Sequence, residues 1–125
     1  MQPFSFLLRR VMLPKKNRLR LQSNFQKVYQ EKRSVANKIF IIYYKENDVG
    51  DVRFGFSISK KVLRRAHERN LLRRRLHALL RERLLAYKKG YDIIIIARKG
   101  VEVLSYKEIE KNLDHIMGKC GLVDE

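Results

Sequence analysis

Histidine and cysteine are the side chains in this sequence that could ligate a metal ion or act as a nucleophile. The histidines are His67, His77 and His115, and none stands at a zinc-ligand spacing from a cysteine or a glutamate. The single cysteine, Cys120, has no second cysteine with which to form a disulfide, as is usual in a reducing compartment. We therefore predict no metal site made by protein side chains alone and no cysteine nucleophile.

Carboxylates are scarce in the basic part of the chain, where a nuclease would need them. A protein nuclease uses clustered carboxylates to hold Mg²⁺ beside the scissile phosphate. That part of the sequence offers only Glu31, Glu68 and Glu82, and the favourable dipole at the start of a helix explains Glu68. The sequence also lacks a glycine-rich phosphate loop. These features indicate a binding protein rather than a catalyst.

Positive charge is concentrated in two blocks of the sequence. Residues 1–33 contain nine lysines and arginines against one acid, and residues 53–90 contain thirteen against two, within a net charge of +16. Such a field attracts polyanions and speeds their encounter. Nucleic acid and an acidic membrane surface are the candidate partners, and a generic solvated surface is the alternative. No apolar run approaches the ~18 residues of a membrane span, so we do not expect an integral membrane protein.

Arginines on one face of a predicted helix favour nucleic acid over a membrane. On a helical wheel, polar side chains fill an arc of ~100° beside the apolar arc. They are Asn70, Arg73, Arg74, His77 and Arg81. Forked guanidinium groups suit phosphates. Phe25 and Tyr29, at i and i+4, could stack unpaired bases or instead pack in the core. A strand precedes the basic helix, which argues against a helix-turn-helix DNA reader and favours RNA.

Helix starts and ends follow from capping signals. Ser23 with Gln26 predicts a capping box for a first helix over 24–33, and Ser105 with Glu108 predicts another for the last helix. The long basic helix is predicted over 67–89, with Gly90 as its C-cap.

Three strands are predicted from β-branched and aromatic runs, over 38–45, 52–59 and 92–99. In the second strand, Phe54 and Phe56 alternate with Gly55 and Ser57, so one face is apolar and the other is small and polar. That polar face is either solvated or open to a ligand. The element order, in a chain of 125 residues with 45% apolar composition, predicts one α+β sandwich with a crossover helix.

The two ends of the chain look unlike the middle. The first residues are MQPFSFLLRRV, in which Arg9 and Arg10 follow the apolar stretch, whereas a secretory signal places its charge before it. We predict that residues 1–13 are a disordered extension or reflect a true start at Met12, with a targeting peptide as the alternative. Residues 14–120 would then form the domain and residues 121–125 a tail.

The stretch over residues 54–82 resembles a known family. It contains an S-x-S-K-K strand end, a short basic connection and an R-N-x-x-R-R helix. The residues of this pattern are Ser57, Ser59, Lys60, Lys61, Arg69, Asn70, Arg73 and Arg74. With matching segments over roughly residues 14–120, the sequence resembles the protein subunit of bacterial ribonuclease P. Leu71 and His77 depart from the pattern, because the family usually has basic residues at these positions.

The resemblance implies a fold and a function. The expected fold is a two-layer α/β sandwich of order α-β-β-α-β-α, with one extra short strand in this chain as the alternative. It has a left-handed βαβ crossover and resembles a domain of elongation factor G. In the family, a catalytic RNA removes the 5′ leader of precursor tRNA with Mg²⁺ bound mainly by that RNA. The protein binds the leader and the catalytic RNA and raises the affinity for substrate and Mg²⁺. The implied partners are ribonuclease P RNA and precursor tRNA, in the cytoplasm, with no membrane and no obligate protein partner.

The resemblance also assigns roles to individual residues, none of them catalytic. The 5′-leader cleft would comprise Phe25, Tyr29, Phe40 and Ser57, with a place in the core as the alternative for Phe40. The helix surface facing the catalytic RNA would comprise Arg69, Asn70, Arg73, Arg74, His77 and Arg81. Phosphate contacts would come from Lys60, Lys61 and Arg18.

Two other functions stay open on the sequence alone. A structural RNA-binding protein of the ribosomal type shares the size and charge but needs no open sheet face. A self-sufficient nuclease is disfavoured by the missing carboxylate cluster.

Overall fold

The computed structural model describes residues 12–124 and has three α-helices and four strands in that range. In chain order they are α1 (Gln22–Glu31), β1 (Ser34–Ala36), β2 (Phe40–Glu46), β3 (Arg53–Ser57), α2 (Ala66–Glu82), β4 (Tyr91–Ala97) and α3 (Tyr106–Lys119). The predicted order is confirmed, β1 is the extra short strand, and the predicted strand limits move by one or two residues. None of the helices within the described range is long and apolar enough to cross a bilayer.

The four strands form one mixed sheet in the order β1-β2-β4-β3. The β1–β2 and β2–β4 pairs are antiparallel, whereas β3 and β4 are parallel, with Phe54 opposite Ile93 and Ser57 opposite Ile96. Parallel neighbours require a crossover connection, which α2 supplies. The mixed α+β fold is therefore confirmed, while the handedness of the crossover and the likeness to elongation factor G stay predictions.

Helices cover both faces of the sheet. The larger core lies between one face and the pair α2 and α3, and it includes Ile93 and Ile95 of β4. On the opposite face α1 packs over a smaller core built on Leu19, Val28 and Ile94. Because β4 is buried on both sides, its side chains form the continuous apolar run seen in the sequence.

The first helix begins earlier than the sequence predicts, and its predicted capping box is wrong. Helix α1 starts at Gln22 after the extended residue Leu21, with no side-chain cap. Ser23 therefore lies inside the first turn rather than before it. The cause is tertiary: the Leu19 N–H donates to the Phe54 carbonyl at 2.8 Å, which keeps the chain extended along β3 up to Leu21.

The basic helix ends earlier than predicted, so Gly90 is not its C-cap. Helix α2 ends at Glu82 and the chain continues into a 3-10 turn, Leu84–Ala86. This turn brings Tyr87 into the core beside Phe54, with ring centroids 5.5 Å apart. Gly90 instead adopts a positive φ of 83° in the turn before β4.

Both predicted ends of the domain need correction where the structure describes them. Leu13, assigned to the extension, is 1% exposed, and Leu122, assigned to the tail, is 2% exposed. The Leu122 carbonyl accepts a hydrogen bond from the Lys88 N–H at 2.8 Å. Leu13 and Leu122 therefore belong to the packed domain, because each side chain is buried in the core. The predictions for residues 1–11 lie outside the described residues.

The second predicted capping box is confirmed. Ser105 accepts a hydrogen bond from the Glu108 N–H at 3.2 Å, and the Glu108 carboxylate accepts one from the Ser105 N–H at 3.1 Å. This pair sets the start of α3, whose Ile109, Leu113 and Ile116 are buried.

Candidate nucleic-acid interface

Residues 12–19, which we call the N-terminal strap, lie against α2 and the edge of β3. The Leu13 N–H donates to His77 Nδ1 at 3.1 Å, and Arg81 Nη1 donates to the Met12 carbonyl at 2.5 Å. Asn17 Nδ2 donates to the Val52 carbonyl at 2.8 Å. These contacts join the two basic blocks of the sequence into one surface.

Two arginines of this joined surface are partly buried without a negative partner. The Nε atoms of Arg18 and Arg74 are buried and make no hydrogen bond. Burial, together with the charge of Arg20, lowers the pKa of Arg18. Within residues 12–124, the salt bridges involve only two arginines, Arg53 with Asp92 and Arg83 with three acids. The charges of Arg18 and Arg74 are therefore available to an anion.

His77 lies beneath this surface rather than on it. Its side chain is 8% exposed, and its ring meets Phe56 edge-on at 5.0 Å. Burial, and secondarily the charge of Arg18, lowers its pKa to about 4, so the imidazole is neutral at pH 7. Neutrality lets Nδ1 accept the Leu13 N–H. The assignment of His77 to the helix surface facing the catalytic RNA is therefore wrong, because the strap covers this side chain.

The arginines of the family pattern, near the start of α2, have different hydrogen-bond partners. Arg69 Nη1 donates to two backbone carbonyls, those of Leu63 and Arg64, both at 2.9 Å. Arg73 Nη1 instead donates to the Asn70 side chain at 3.1 Å. Asn70 and Arg81 are exposed, and so are Lys60 and Lys61 in the connection between β3 and α2.

An aromatic groove lies between α1 and the sheet. Phe25 packs over Gly55 of β3, and Tyr29 meets Tyr43 of β2 edge-on with centroids 5.1 Å apart. Burial raises the pKa of the Tyr29 phenol, partly offset by a hydrogen bond with Ser57. Phe25 and Tyr29 are only half-buried, so each ring packs on the smaller core and leaves part of its surface open.

A cavity of about 370 Å³ lies on the outer side of this groove. The lining residues are Arg20, Gln22, Phe25, Gln26 and Tyr29. Arg20 thus brings a positive charge beside the aromatic rings. The polar face of β3 that the sequence left as either solvated or open is therefore half-covered by α1.

Phe40 does not belong to the groove. It is 0% exposed and packs in the larger core on the other face of the sheet, so its assignment to the leader cleft is wrong. The physical reason is the alternation of strand β2, which points Phe40 and Ile42 toward α2 and α3. The same alternation points Tyr43 toward α1, and Tyr43 is the groove residue that sequence reasoning missed.

No group of three or more histidine, cysteine or acidic side chains is arranged to hold a metal ion in the described part of the chain. Asp92, which lies opposite Arg53 in the sheet, is already bonded to the Arg53 guanidinium and to the Asn47 side-chain amide. The residues of this surface therefore do not fit a protein-held Mg²⁺.

Comparison with known proteins gives one consistent result. The family model described as Ribonuclease P matches residues 13–121. The chain is 39% identical over 112 residues to the ribonuclease P protein component of Streptococcus agalactiae, covering 89% of this chain and 100% of that protein. It is 41% identical over 112 residues to that of Alkaliphilus oremlandii, covering 86% and 94% respectively.

Solved structures give the same result for the fold. The Staphylococcus aureus RNase P protein superposes with a TM-score of 0.81 at 28% identity, over 86% of this chain and 98% of that chain. The Thermotoga maritima RNase P protein superposes with a TM-score of 0.74 at 26% identity, over 82% and 96%.

Proposed function

Because this chain belongs to the ribonuclease P protein family, with a role in tRNA 5′ processing alongside an RNA subunit, we propose that it binds the 5′ leader of precursor tRNA in the aromatic groove. The joined basic surface would hold the catalytic RNA. Its partners would be ribonuclease P RNA and precursor tRNA, in the cytoplasm.

The groove suits single-stranded RNA. Phe25, Tyr29 and Tyr43 offer aromatic surface on which bases can stack, which is worth ~1–3 kcal/mol per base and tolerates any sequence. Arg20 lies beside the rings and can pair with a backbone phosphate. Ser57 adds a hydroxyl at the inner end of the groove. A leader of variable sequence needs this combination of stacking and charge.

The basic surface suits a structured RNA. Arg18, Arg73, Arg74 and Arg81, with Lys60 and Lys61, have no carboxylate partner among the described residues. Their charges are therefore free to replace the counterions of RNA phosphates. The contrast with Arg53 and Arg83, which are paired, separates binding arginines from structural ones.

The hydrolysis itself is assigned in this proposal to the RNA subunit, with Mg²⁺ bound mainly by that RNA. Mg²⁺ would stabilise the charge that develops on the phosphate oxygens. The protein residues would bind the leader and orient the precursor on the RNA, raising the affinity for substrate and for Mg²⁺. The absence of a fitted carboxylate group in residues 12–124 supports this division.

One observation carries the proposal: the half-open rings of Phe25 and Tyr29 line a cavity together with Arg20, which directly follows the strap in the chain. The test compares binding of precursor tRNA with and without its 5′ leader. Cleavage is measured at low Mg²⁺ with a bacterial ribonuclease P RNA. Leader-dependent binding, and cleavage that needs both components, are the expected results. Tight binding that ignores the leader and does not stimulate cleavage would favour a structural RNA-binding protein. Cleavage by the protein with Mg²⁺ alone would contradict the assignment of catalysis.

A further inference from the structure

Arg69 differs from the other arginines of α2 in what its guanidinium contacts. Both hydrogens of one nitrogen, Nη1, are directed at backbone carbonyls, those of Leu63 and Arg64, at 2.9 Å each. Both carbonyls belong to the connection between β3 and α2. The side chain is half-buried, as expected for a group that packs against its own chain.

We propose that Arg69 is a positioning residue, which holds the connection so that Lys60 and Lys61 present their charges to RNA. It would act through these lysines rather than through a phosphate contact of its own. This inference rests on the proposed function, because it concerns the same basic surface.

The connection needs such a support. Four of its six residues from 60 to 65 are lysine or arginine, so the segment repels itself. The residue before α2 is Arg65, which makes no side-chain cap, so the usual anchor at a helix start is missing. The segment is held from within by burial of Leu63 in the core and by the N–H groups of Val62 and Leu63, which both donate to the Ser59 carbonyl at 3.1 Å. Arg69 adds a contact from outside the segment.

The chemistry of this contact favours arginine over lysine. A planar guanidinium directs two N–H groups of fixed geometry at two neighbouring carbonyls, and a lysine ammonium is a flexible point charge. The carbonyl dipoles also place partial negative charge at the cation. A lysine at residue 69 would keep the net charge but lose the fixed bridge.

The chain offers a matched control one turn further along the same helix. Arg73 has the same charge, and its Nη1 contact is with the Asn70 side chain of its own helix. Among the described residues, its side chain makes no hydrogen bond to the connection. Arg73→Gln therefore removes one positive charge from α2 without removing the bridge.

The first experiment measures amide hydrogen exchange at Val62 and Leu63 in the free protein. Both N–H groups are bonded to the Ser59 carbonyl. Arg69→Gln and Arg69→Lys should each speed their exchange at least tenfold, and Arg73→Gln should not. Equal exchange rates in Arg69→Gln and Arg73→Gln would overturn the proposal. This readout contains no RNA, so it is independent of the proposed function.

The second experiment is a double-mutant cycle on binding to a bacterial ribonuclease P RNA. If Arg69 acts through the lysines, adding Arg69→Gln to the pair Lys60→Ala and Lys61→Ala should cause no further loss of affinity. Arg69→Gln alone should reduce the salt slope by up to about two, as for two lost phosphate contacts, whereas Arg73→Gln should reduce it by about one in either background. Additive losses for Arg69→Gln, or no effect of the lysine pair, would overturn the positioning role. Failure of the unmodified protein to bind this RNA would instead contradict the proposed function while leaving the exchange result intact.

Discussion

The ring of Phe25 lies where a side chain at residue 55 would begin. A Cβ placed on Gly55 would come within 2.3 Å of Phe25 Cζ, closer than any real contact between such atoms. The glycine in β3 thus sets the depth at which an aromatic ring of α1 rests on the sheet. The groove exists in its observed form because residue 55 has no side chain.

Gly55→Ala should therefore displace the Phe25 ring outward and disturb the groove. We expect a loss of stability of about 1 kcal/mol, at the low end for overpacking because the ring end can move, and weaker binding of leader-bearing precursor. Gly118→Ala is the control, since a Cβ there meets no atom within 4 Å. That change lies in helix α3 and should stabilise by ~0.5–1 kcal/mol. Urea denaturation measures the stability of both variants, and precursor binding with and without the leader measures their affinity. An unchanged leader dependence in Gly55→Ala would contradict leader binding in the groove.

Tyr29→Ala should weaken binding of leader-bearing precursor by ~1–3 kcal/mol and leave mature tRNA nearly unaffected, because the lost stacking concerns the leader. Tyr106→Ala is the matched control. Tyr106 is exposed on α3, which packs on the other face of the sheet. Equilibrium binding to both RNAs is the measurement. An equal loss of affinity for precursor and mature tRNA in Tyr29→Ala would show that Tyr29 does not contact the leader.

His77 should make folding stability depend on pH. Its pKa falls from 6.5 to about 4 on folding, so the unfolded chain binds the extra proton more readily. The stabilisation is complete above pH 6.5 and is lost as the pH falls toward 4, by roughly 2 kcal/mol at pH 5. His77→Gln keeps an acceptor for the Leu13 N–H but cannot titrate. The difference in urea stability between the two proteins should therefore change between pH 7.5 and 5, and parallel pH profiles would contradict the buried neutral histidine.

Arg74→Gln should change RNA binding without lowering stability, whereas Arg83→Gln should lower stability without changing RNA binding. Arg74 has a buried Nε without a partner, so its replacement should reduce the salt slope of RNA binding by about one without lowering stability. Arg83 is paired with Glu110 and Asp114, so its replacement should lower stability by about 1 kcal/mol and leave the salt slope unchanged. Binding titrations over a series of salt concentrations, with denaturation in a buffer free of phosphate and sulfate, separate the two. Loss of stability in Arg74→Gln would mean that its charge is structural.

The sequence predicts local structure well where the cause is local. Ser105 and Glu108 form a capping box because the two residues satisfy each other within one turn. Ser23 and Gln26 have the same spacing and form none, because the bond between Leu19 and Phe54 fixes where α1 begins. The three-residue spacing is the same in both pairs, so it could not show which pair forms a capping box. That depends on the contact with the neighbouring strand β3.

In the candidate site, too, the sequence predicts what depends on local pattern and misses what depends on tertiary packing. The alternation of side chains along β2 predicts that Phe40 and Tyr43 point to opposite faces of the sheet. Which of these faces forms the groove depends on the packing of α1, which the sequence does not show. The helical wheel groups His77 with Arg74, but it does not show that the strap lies over the histidine. Arg69 could be recognised as part of a family pattern, whereas its bridge to two carbonyls required the fold of the connection.

The strap and α2 are far apart in the order of synthesis. His77 follows its partner Leu13 by 64 residues, so at ~5–20 residues per second the ribosome needs roughly 3 to 13 seconds to add it. During that interval the strap has no helix to lie on, and the combined basic surface does not exist. A chain interrupted before α2 would lack this surface, so the proposed binding of the RNA subunit requires a chain that extends through Arg81.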